Sequence, residues 1–327
     1  MSLPKIHKSI LDAIGNTPLV RLNKMADPEG PQILMKIEFF NPGESMKDRI
    51  ALSMIEDAEN RGLLQPGGTV VEASSGNTAA GMAMVAAVKG YKAIMVVTDK
   101  QSEEKINALK AFGAEVIVAP SSAAPDSPDY NFNIAGRIAG EIKGAFFTGQ
   151  LTNQKNPEAH YRTTGPEIWE QCEGKIDIFI MGMGTCGTIS GTGRYLKEKN
   201  PDIRIVGIDP EGSILKHYFE TGEIGEYKPY LVEGVGDDTV PETFHKEYID
   251  EVISISDKEA FLTARKLART EGILCGGSTG SNVAAALKYA ENLSKDKVIV
   301  TVAADSGLKY LSALHSDEWM MEKGFVE

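Results

Sequence analysis

Lys47 stands where a lysine needs an explanation. It follows the turn-forming stretch NPG (41–43) and falls in the first turn of a predicted helix, with Ser45 as the expected N-cap and Asp48 as its capping-box partner. A cation is mildly disfavoured there, because the N-terminal end of a helix carries partial positive charge. One interpretation is a solvent-exposed side chain. The other is an amine that loses its proton easily and forms an imine with a carbonyl cofactor.

A polar segment joins a predicted strand at 69–73 to a helix that should begin near Asn77. This segment, SSGNT (74–78), is called the carboxylate loop here. Backbone N–H groups at a helix N-terminus, together with hydroxyl and amide side chains, suit a carboxylate ligand. Ser, Asn and Thr are also common helix caps, so the loop alone supports either interpretation.

The segment GMGTCGTISG (182–191), called the glycine loop here, contains a literal G-x-G-x-x-G pattern. Asp209 ends the next predicted strand, at a spacing typical of the ribose-binding acid of a dinucleotide site. A nicotinamide-dependent oxidoreductase is therefore one interpretation. Thr185 and Thr188 favour another, since their hydroxyls suit a single terminal phosphate held at a helix N-terminus.

Two further loops carry polar residues before or between elements. In CGGSTGSN (275–282), Ser278 precedes a predicted helix, and locally it is best interpreted as an N-cap. The segment EGVGDD (233–238), called the acidic loop here, combines two glycines with three carboxylates. It is either a solvated turn or a partner for a cationic amine.

Composition excludes several classes of function. The formal net charge of −12 argues against a nucleic-acid or anionic-membrane partner, which requires a basic surface. The three cysteines form no C-x-x-C pair, and the five histidines show no metal-ligand spacing, so neither a disulfide framework nor a metal site is expected. No apolar stretch resembles a signal peptide or a membrane span. A reducing, cytoplasmic setting is expected.

Strands and helices alternate along the chain, which predicts an α/β fold with parallel sheets. Most predicted strands are apolar on both faces, as buried parallel strands are. Strands are predicted at 32–38, 69–73, 92–97, 114–119, 146–149, 176–182, 204–209, 251–256 and 298–303. Helices are predicted at 77–89, 102–112, 129–142, 157–172, 187–199, 257–271 and 280–293. This number of strands is too large for a single sheet in a chain of this length. We therefore expect two lobes with a boundary near 145–155.

The order of the loops is more specific than any one of them. The motifs occur in the order of one family: IGNTPLVRL (14–22), NPGESMKDR (41–49), SSGNT (74–78), GTCGT (184–188), CGGSTGS (275–281) and DSGLKYLS (305–312). Over roughly residues 9–315 the chain resembles the fold type II pyridoxal-phosphate β-replacement enzymes, namely cysteine synthase and the catalytic core of cystathionine β-synthase.

The resemblance implies the two-lobed architecture of the tryptophan synthase β subunit, with the cofactor in the cleft between the lobes. Each lobe would be a mainly parallel sheet flanked by helices. Residues 42–150 would form the smaller, mobile lobe, with the lysine and the carboxylate loop. Residues 1–41 and 151–327 would form the larger lobe. A homodimer is implied in the same way.

The resemblance also implies a role for each matching residue. Lys47 would form the internal aldimine with pyridoxal 5′-phosphate, Asn77 would hydrogen-bond its 3′ oxygen, and Ser278 would face its pyridine nitrogen. The phosphate site would comprise Gly184, Thr185, Cys186, Gly187 and Thr188. The substrate site would comprise Ser74, Ser75, Gly76, Thr78, Gln150, Glu233, Gly234 and Asp238.

These roles fit β-replacement. The amine released from Lys47 can take the α-proton, and the cofactor withdraws electrons from Cα. A serine at the pyridine nitrogen makes a moderate electron sink, which suits loss of a β-leaving group to give an aminoacrylate that a thiol then attacks. Binding of the substrate carboxylate would close the smaller lobe and exclude water.

Met46 is unusual just before the lysine, and three further positions depart from the glycines of the family pattern. Glycine is usual where this chain has Glu44, Ala79 and Cys186. None of these changes removes a required functional group, so cofactor binding is still expected. Alanine at position 79 should be tolerated within a helix, whereas Cys186 would narrow the phosphate loop.

The segments DPEGS (209–213), VEGVGDD (232–238) and EGILCGGS (271–278) resemble the cystathionine synthases, whereas DSGLKYLS (305–312) is closer to the cysteine synthases. The expected reaction joins L-serine, or an activated serine or cysteine, to homocysteine. Cysteine synthesis from O-acetylserine and sulfide is the alternative, as is hydrogen sulfide release from cysteine. Neither haem nor adenosylmethionine control is expected. A binding protein that keeps the fold without activity is the remaining alternative.

Overall fold

The computed structural model describes residues 6–74, 76–101 and 103–327. Within them the strands are β1 Leu19–Arg21, β2 Gln32–Ile37, β3 Thr69–Ala73, β4 Lys92–Thr98, β5 Glu115–Ala119, β6 Ala145–Phe147, β7 Ile178–Gly182, β8 Arg204–Pro210, β9 Glu251–Ile255 and β10 Val298–Ala303. The α-helices are α1 Lys47–Asn60, α2 Asn77–Lys89, α3 Glu103–Ala111, α4 Asn131–Glu141, α5 Lys155–Arg162, α6 Thr164–Gln171, α7 Gly187–Lys199, α8 Leu215–Thr221, α9 Asp257–Glu271, α10 Gly277–Ala290 and α11 Asp317–Glu322.

The first of two compact units comprises the described residues up to Asn16 and the segment Asn41–Lys155. Its four strands form a parallel sheet in the order β5-β4-β3-β6. Every residue of β3 is buried, as expected for a central strand covered on both faces. Val71 of β3 lies opposite Ile94 of β4 and Phe147 of β6, and Val71 and Ile94 contribute to the buried core that this sheet shares with α4.

The second unit comprises Thr17–Phe40 and Asn156–Glu327. Its six strands run in the order β1-β2-β10-β7-β8-β9, and only the edge pair β1–β2 is antiparallel. Its apolar core includes Ile180 of β7, Val206 of β8, Phe261 of α9 and Val283 of α10. The expected mixed fold, with mainly parallel sheets flanked by helices, is confirmed.

Many predicted elements agree with the structure to the residue, including the strands at 69–73 and 298–303 and the helices at 77–89, 187–199 and 257–271. The single helix predicted at 157–172 was wrong, because the structure has two helices, α5 and α6, separated at Thr163. Pro166 explains the break. Its ring would clash with the carbonyl of Arg162 in a continuous helix, whereas it fits in the first turn of a new one.

Several strands differ from their predicted bounds by one or two residues, and one strand was not predicted. The three-residue strand β1 was missed, since it is too short to show a hydrophobic pattern and is defined by its pairing with β2. The strand β6 ends at Phe147, two residues before the predicted end. Among the described residues, no helix combines the length and apolar character needed to cross a lipid bilayer.

Candidate active site

The carboxylate loop lies at the carboxyl end of the first unit's sheet. It follows β3, and Gln150 comes shortly after the neighbouring parallel strand β6, so both reach the same edge of the sheet. The Thr78 hydroxyl donates a hydrogen bond to Oε1 of Gln150 over 2.6 Å, and both side chains are buried. The structure thus joins two of the predicted substrate residues, which are 72 positions apart in the chain.

The carboxylate loop also contains the N-terminus of α2. The helix α2 begins at Asn77, as predicted, and its N-cap Gly76 has no side chain to satisfy the first N–H groups. The Gly76 N–H contacts Oγ of Ser74 at 3.4 Å. Such an end attracts an anion. Ser75 was predicted to bind substrate as well, but it lies outside the described residues.

A buried carboxyl group next to this loop was missed by the sequence analysis. Glu72 is fully buried in β3 and accepts a hydrogen bond from the hydroxyl of Thr148, which immediately precedes Gly149 and Gln150. Burial raises the pKa of Glu72 to about 8, although hydrogen bonds from Thr148 and nearby backbone N–H groups oppose this shift. A glutamate inside the otherwise apolar strand TVVEA was the signal that could have identified it.

Lys47 is the first residue of α1 and is half-buried. The prediction of Ser45 as the N-cap was wrong: Met46 occupies that position in a helical conformation. The Ser45 oxygen still accepts a hydrogen bond from the Lys47 N–H at 3.2 Å, two residues later instead of three. The carboxylate of Asp48, the expected capping-box partner of Ser45, accepts a hydrogen bond from the N–H of Gly43 at 2.5 Å.

The helices α1 and α2 lie side by side in the first unit. A Cβ added to Gly81 of α2 would lie 3.3 Å from the carbonyl oxygen of Lys47 and 3.2 Å from Cβ of Ala51. A glycine at position 81 therefore permits the close approach of the two helices. The helix that begins at Lys47 is packed directly against the helix that begins at the carboxylate loop.

The glycine loop connects β7 to α7 in the second unit, and at each of its four glycines an added Cβ would come too close to a neighbouring atom. A Cβ on Gly184 would lie 2.8 Å from the carbonyl oxygen of Gly234, and a Cβ on Gly187 would overlap the side-chain amide of Asn156. The helix α7 begins at Gly187 and has no side-chain cap. The loop therefore presents backbone N–H groups at the N-terminus of α7, and its glycines permit close packing against Gly234 and Asn156.

The glycine loop also carries the hydroxyls of Thr185 and Thr188, and its N–H groups together with these two hydroxyls are called the phosphate cup here. Each hydroxyl has a fully buried partner on α5. Nδ2 of Asn156 donates to Oγ1 of Thr185 over 3.0 Å. Nε2 of His160 lies 3.1 Å from Oγ1 of Thr188. Backbone N–H groups at a helix start, two hydroxyls and glycines packed against their neighbours are the donor set that a terminal phosphate needs, so the residues present fit a phosphorylated cofactor.

Two of the three positions that depart from the glycines of the family pattern share an unusual backbone conformation. Cys186 and Glu44 have φ angles of 59° and 58°, in the left-handed region that favours glycine. Cys186 is buried, and its Sγ contacts the carbonyl oxygen of Gly184 at 3.4 Å. Ala79 is buried within α2 in an ordinary helical position.

Ser278 is buried in the first turn of α10, which begins at Gly277, so the interpretation of Ser278 as an N-cap was wrong. Its hydroxyl makes no hydrogen bond to the described part of the chain. Asn282, one turn later, accepts from the N–H of Gly182 at 2.8 Å and donates to the carbonyl of Val302 at 2.7 Å. These bonds tie α10 to the strand that precedes the glycine loop.

The acidic loop lies against the glycine loop within the second unit. The Gly236 N–H donates to the carbonyl of Met183 over 2.5 Å, and Glu233, Gly234 and Asp238 are exposed. Asp237 is turned inward, where its carboxylate accepts hydrogen bonds from the N–H and hydroxyl of Thr239 at 2.9 and 2.7 Å.

The inward position of Asp237 also affects its titration. Burial raises its pKa to about 6, and the neighbouring charge of Asp238 acts in the same direction. Asp237 therefore has a structural environment within the loop. Glu233 and Asp238 are the two exposed carboxylates of the loop.

The first unit thus gathers Ser74, Gly76, Thr78 and Gln150 at one sheet edge, and the second gathers the glycine and acidic loops. A family model described as "Pyridoxal-phosphate dependent enzyme" matches residues 10–305 of the chain. The chain is 47% identical to cystathionine β-synthase of Oryctolagus cuniculus over 99% of its own length, and 44% identical to that of Saccharomyces cerevisiae over 95%. It spans 59% and 64% of the length of these two relatives.

Two solved structures are also similar. An O-ureido-L-serine synthase has a TM-score of 0.89 and 36% identity, covering 97% of this chain and 100% of its own. A hydrogen sulfide-producing enzyme from Fusobacterium nucleatum has a TM-score of 0.86 and 40% identity, covering 94% of this chain and 100% of its own.

Proposed function

Because the chain belongs to the pyridoxal-phosphate-dependent enzyme family, we propose that it catalyses β-replacement on L-serine or an activated serine, with homocysteine as the thiol that forms cystathionine. The observation that carries the choice of thiol is the pair of exposed carboxylates, Glu233 and Asp238, on a loop fastened to the glycine loop. Homocysteine brings an ammonium group that these carboxylates can bind, whereas sulfide has none.

Each predicted residue has a task in this proposal. The phosphate would be held by Gly184, Thr185, Cys186, Gly187 and Thr188. The substrate carboxylate would be held by Ser74, Ser75, Gly76, Thr78 and Gln150. Lys47 would carry the cofactor and, once released, take the proton from Cα of the substrate.

The bound cofactor would supply electron withdrawal from Cα. Asn77 would hydrogen-bond its 3′ oxygen. The Ser278 hydroxyl, which is buried and has no other described hydrogen bond, would face the pyridine nitrogen. A neutral hydroxyl stabilises positive charge on that nitrogen less than a carboxylate does, which favours loss of a β-leaving group over transamination.

The oxidoreductase alternative loses its supporting residue. Asp209 would have to reach a ribose, but it is buried at the end of β8, and its Oδ2 accepts a hydrogen bond from the Lys216 N–H at 2.8 Å. Burial raises the pKa of Asp209 to about 6. This carboxyl group accepts a hydrogen bond from the first turn of α8, and it is too buried to contact a nucleotide.

Two other β-replacement reactions are second candidates. Cysteine synthesis from O-acetylserine and sulfide would use the same donor site, and so would hydrogen sulfide release from cysteine. The second is favoured by the likeness to a hydrogen sulfide-producing enzyme. Under the same proposal the protein acts in the cytoplasm as a homodimer on small-molecule amino-acid and thiol substrates.

The choice of thiol is tested by steady-state rates with homocysteine, sulfide and cysteine as acceptors, each with L-serine, O-acetylserine and then cysteine as the donor that loses its β-substituent. We expect the highest kcat/KM with homocysteine. In the double variant Glu233→Gln/Asp238→Asn, the KM for homocysteine should rise about tenfold through loss of charge-assisted hydrogen bonds, with sulfide kinetics unchanged.

Glu223→Gln is the matched control, since Glu223 is exposed and lies outside the acidic loop. A preference for sulfide by a large factor would defeat the cystathionine assignment and favour cysteine synthesis. Release of sulfide from cysteine as the fastest reaction would favour hydrogen sulfide release as the function.

A further inference from the structure

The helix α5 carries two buried side chains on the face that meets the glycine loop. Asn156 and His160 are four residues apart, so they share one face of the helix. Both are completely buried, and each reaches one threonine of the phosphate cup, Thr185 at 3.0 Å and Thr188 at 3.1 Å. The spacing of the pair on α5 thus matches the spacing of the two hydroxyls.

The contact with Asn156 determines what the Thr185 hydroxyl can do. A threonine hydroxyl has one proton to donate and lone pairs to accept with. The amide nitrogen of Asn156 only donates, so Oγ1 of Thr185 accepts in this bond. The single proton of Thr185 therefore stays available for another acceptor, such as a phosphate oxygen.

His160 lies between two hydroxyl groups, and its tautomer determines whether the Thr188 hydroxyl donates or accepts in their hydrogen bond. Its Nδ1 lies 2.8 Å from Oγ1 of Thr164, and its Nε2 lies 3.1 Å from Oγ1 of Thr188. A neutral imidazole has one N–H and one acceptor nitrogen. With the proton on Nε2, Thr164 donates to Nδ1 and Thr188 accepts from Nε2. With the proton on Nδ1, the hydroxyl of Thr188 would donate its proton to Nε2 and could not donate to a phosphate oxygen.

We propose that Asn156 and His160 are positioning residues that hold both threonine hydroxyls as donors toward the phosphate, with His160 kept in the Nε2–H form by Thr164. The inference rests on the proposed assignment of the glycine loop to the cofactor phosphate. It extends the site to two residues that act through Thr185 and Thr188. It also explains a fully buried histidine in a part of the fold without a reacting group of its own.

The tautomer is tested directly by ¹⁵N NMR of the histidine-labelled protein without cofactor, at a pH where the ring is neutral. The chain has five histidines, so the His160→Gln variant identifies the resonances of His160 by their loss. We expect a protonated Nε2 and an unprotonated Nδ1. A protonated Nδ1 would overturn the inference, whatever the glycine loop binds.

The consequence for binding is tested with equilibrium dissociation constants of pyridoxal phosphate and of pyridoxal, which lacks the phosphate. His160→Leu should weaken pyridoxal phosphate binding about 10- to 100-fold, because a donor to a charged acceptor loses its support, and should leave pyridoxal binding unchanged. His160→Gln should retain most of the affinity, since its amide nitrogen can reach the position of Nε2. Thr164→Val should have an intermediate effect.

Thr163→Val is the matched control, because the neighbouring Thr163 hydroxyl donates only to the carbonyl of Ala159, at 2.7 Å. Far-UV circular dichroism and the melting temperature verify that each variant folds. Equal losses in His160→Leu and His160→Gln, or an equal loss of pyridoxal binding, would overturn the inference. If Thr185→Val and Thr188→Val leave pyridoxal phosphate binding unchanged, the assignment of the phosphate site itself fails.

Discussion

The carboxylate loop of the first unit and the glycine loop of the second are built alike but supported differently. Each follows a buried parallel strand and opens a helix of thirteen residues. Next to the carboxylate loop lies the titratable carboxyl of Glu72. Behind the glycine loop stand two nitrogen donors, Asn156 and the proposed Nε2–H of His160.

The difference concerns how each loop responds to pH. The amide of Asn156 does not titrate. The carboxyl of Glu72 changes charge near pH 8. Two similar anion sites in one chain should therefore differ in pH dependence, with the substrate-carboxylate site as the sensitive one.

The largest expected effect comes from Lys47→Ala, which removes the proposed covalent attachment in the first unit and leaves the glycine loop intact. Turnover should fall by about 10²- to 10⁴-fold, the usual range for a lost acid–base group. The protein should still bind pyridoxal phosphate but without the absorption band of the lysine-linked cofactor. Absorption spectra and dialysis measure both properties.

Lys100→Ala, at an exposed lysine of the same unit, is the control and should retain the band. A Lys47→Ala protein with wild-type spectrum and turnover would remove Lys47 from the mechanism. A colourless wild-type protein that cannot be reconstituted would contradict the assignment of the whole site.

The second prediction concerns Glu72 and the stability of the protein. Because the folded-state pKa of about 8 exceeds the ordinary value of 4.5, the folded protein holds a proton that the unfolded chain releases between these pH values. The contribution of Glu72 to the free energy of unfolding is therefore largest below about pH 4.5 and decreases as the pH rises toward 8. Relative to Glu72→Gln, the wild type should lose about 1.4 kcal/mol per pH unit between pH 5.5 and 7.5.

Urea denaturation of both proteins at several pH values measures this difference, with Glu104→Gln, an exposed carboxylate of the same unit, as control. Above pH 8 the KM for the amino-acid donor should also rise in the wild type and not in Glu72→Gln, since a charged Glu72 repels a carboxylate. Parallel stability curves for wild type and Glu72→Gln would show that Glu72 does not titrate in this range.

The third prediction separates the two loops by function. Thr78→Val removes a hydroxyl of the carboxylate loop that is bonded to Gln150. The KM for the amino-acid donor should increase about tenfold, and the dissociation constant of pyridoxal phosphate should not change. Thr152→Val, which removes a hydroxyl directed at the carbonyl of Gly149, is the matched control. A joint loss of substrate and cofactor affinity in Thr78→Val would show that the two sites are not separate.

The smallest effect concerns the left-handed residues before each site, Cys186 in the second unit and Glu44 in the first. At each position the glycine variant should be about 1 kcal/mol more stable than the alanine variant, because a Cβ is strained at a φ near 60°. Chemical denaturation of Cys186→Gly against Cys186→Ala, and of Glu44→Gly against Glu44→Ala, measures this. Greater stability of either alanine variant would show that the backbone moves to relieve the strain.

The sequence by itself determined most of the strands and helices and their order. Local periodicity places strands such as 69–73 and helices such as 187–199 to the residue, because two-sided burial and amphipathic spacing are properties of neighbouring residues. The co-linear loop motifs identified the family. The prediction of N-cap residues from the local sequence was less reliable, because Ser45 and Ser278 were assigned as caps and do not occupy that position.

Only the tertiary structure decided which distant residues meet. Thr78 and Gln150 are 72 positions apart, and His160 and Thr188 are 28 positions apart. The sequence around each of these residues does not identify its hydrogen-bond partner. The raised pKa of Glu72 likewise requires burial by the rest of the sheet. Hydrogen-bond geometry and desolvation depend on atoms brought together by packing, whereas sequence periodicity reports on residues that are neighbours along the chain.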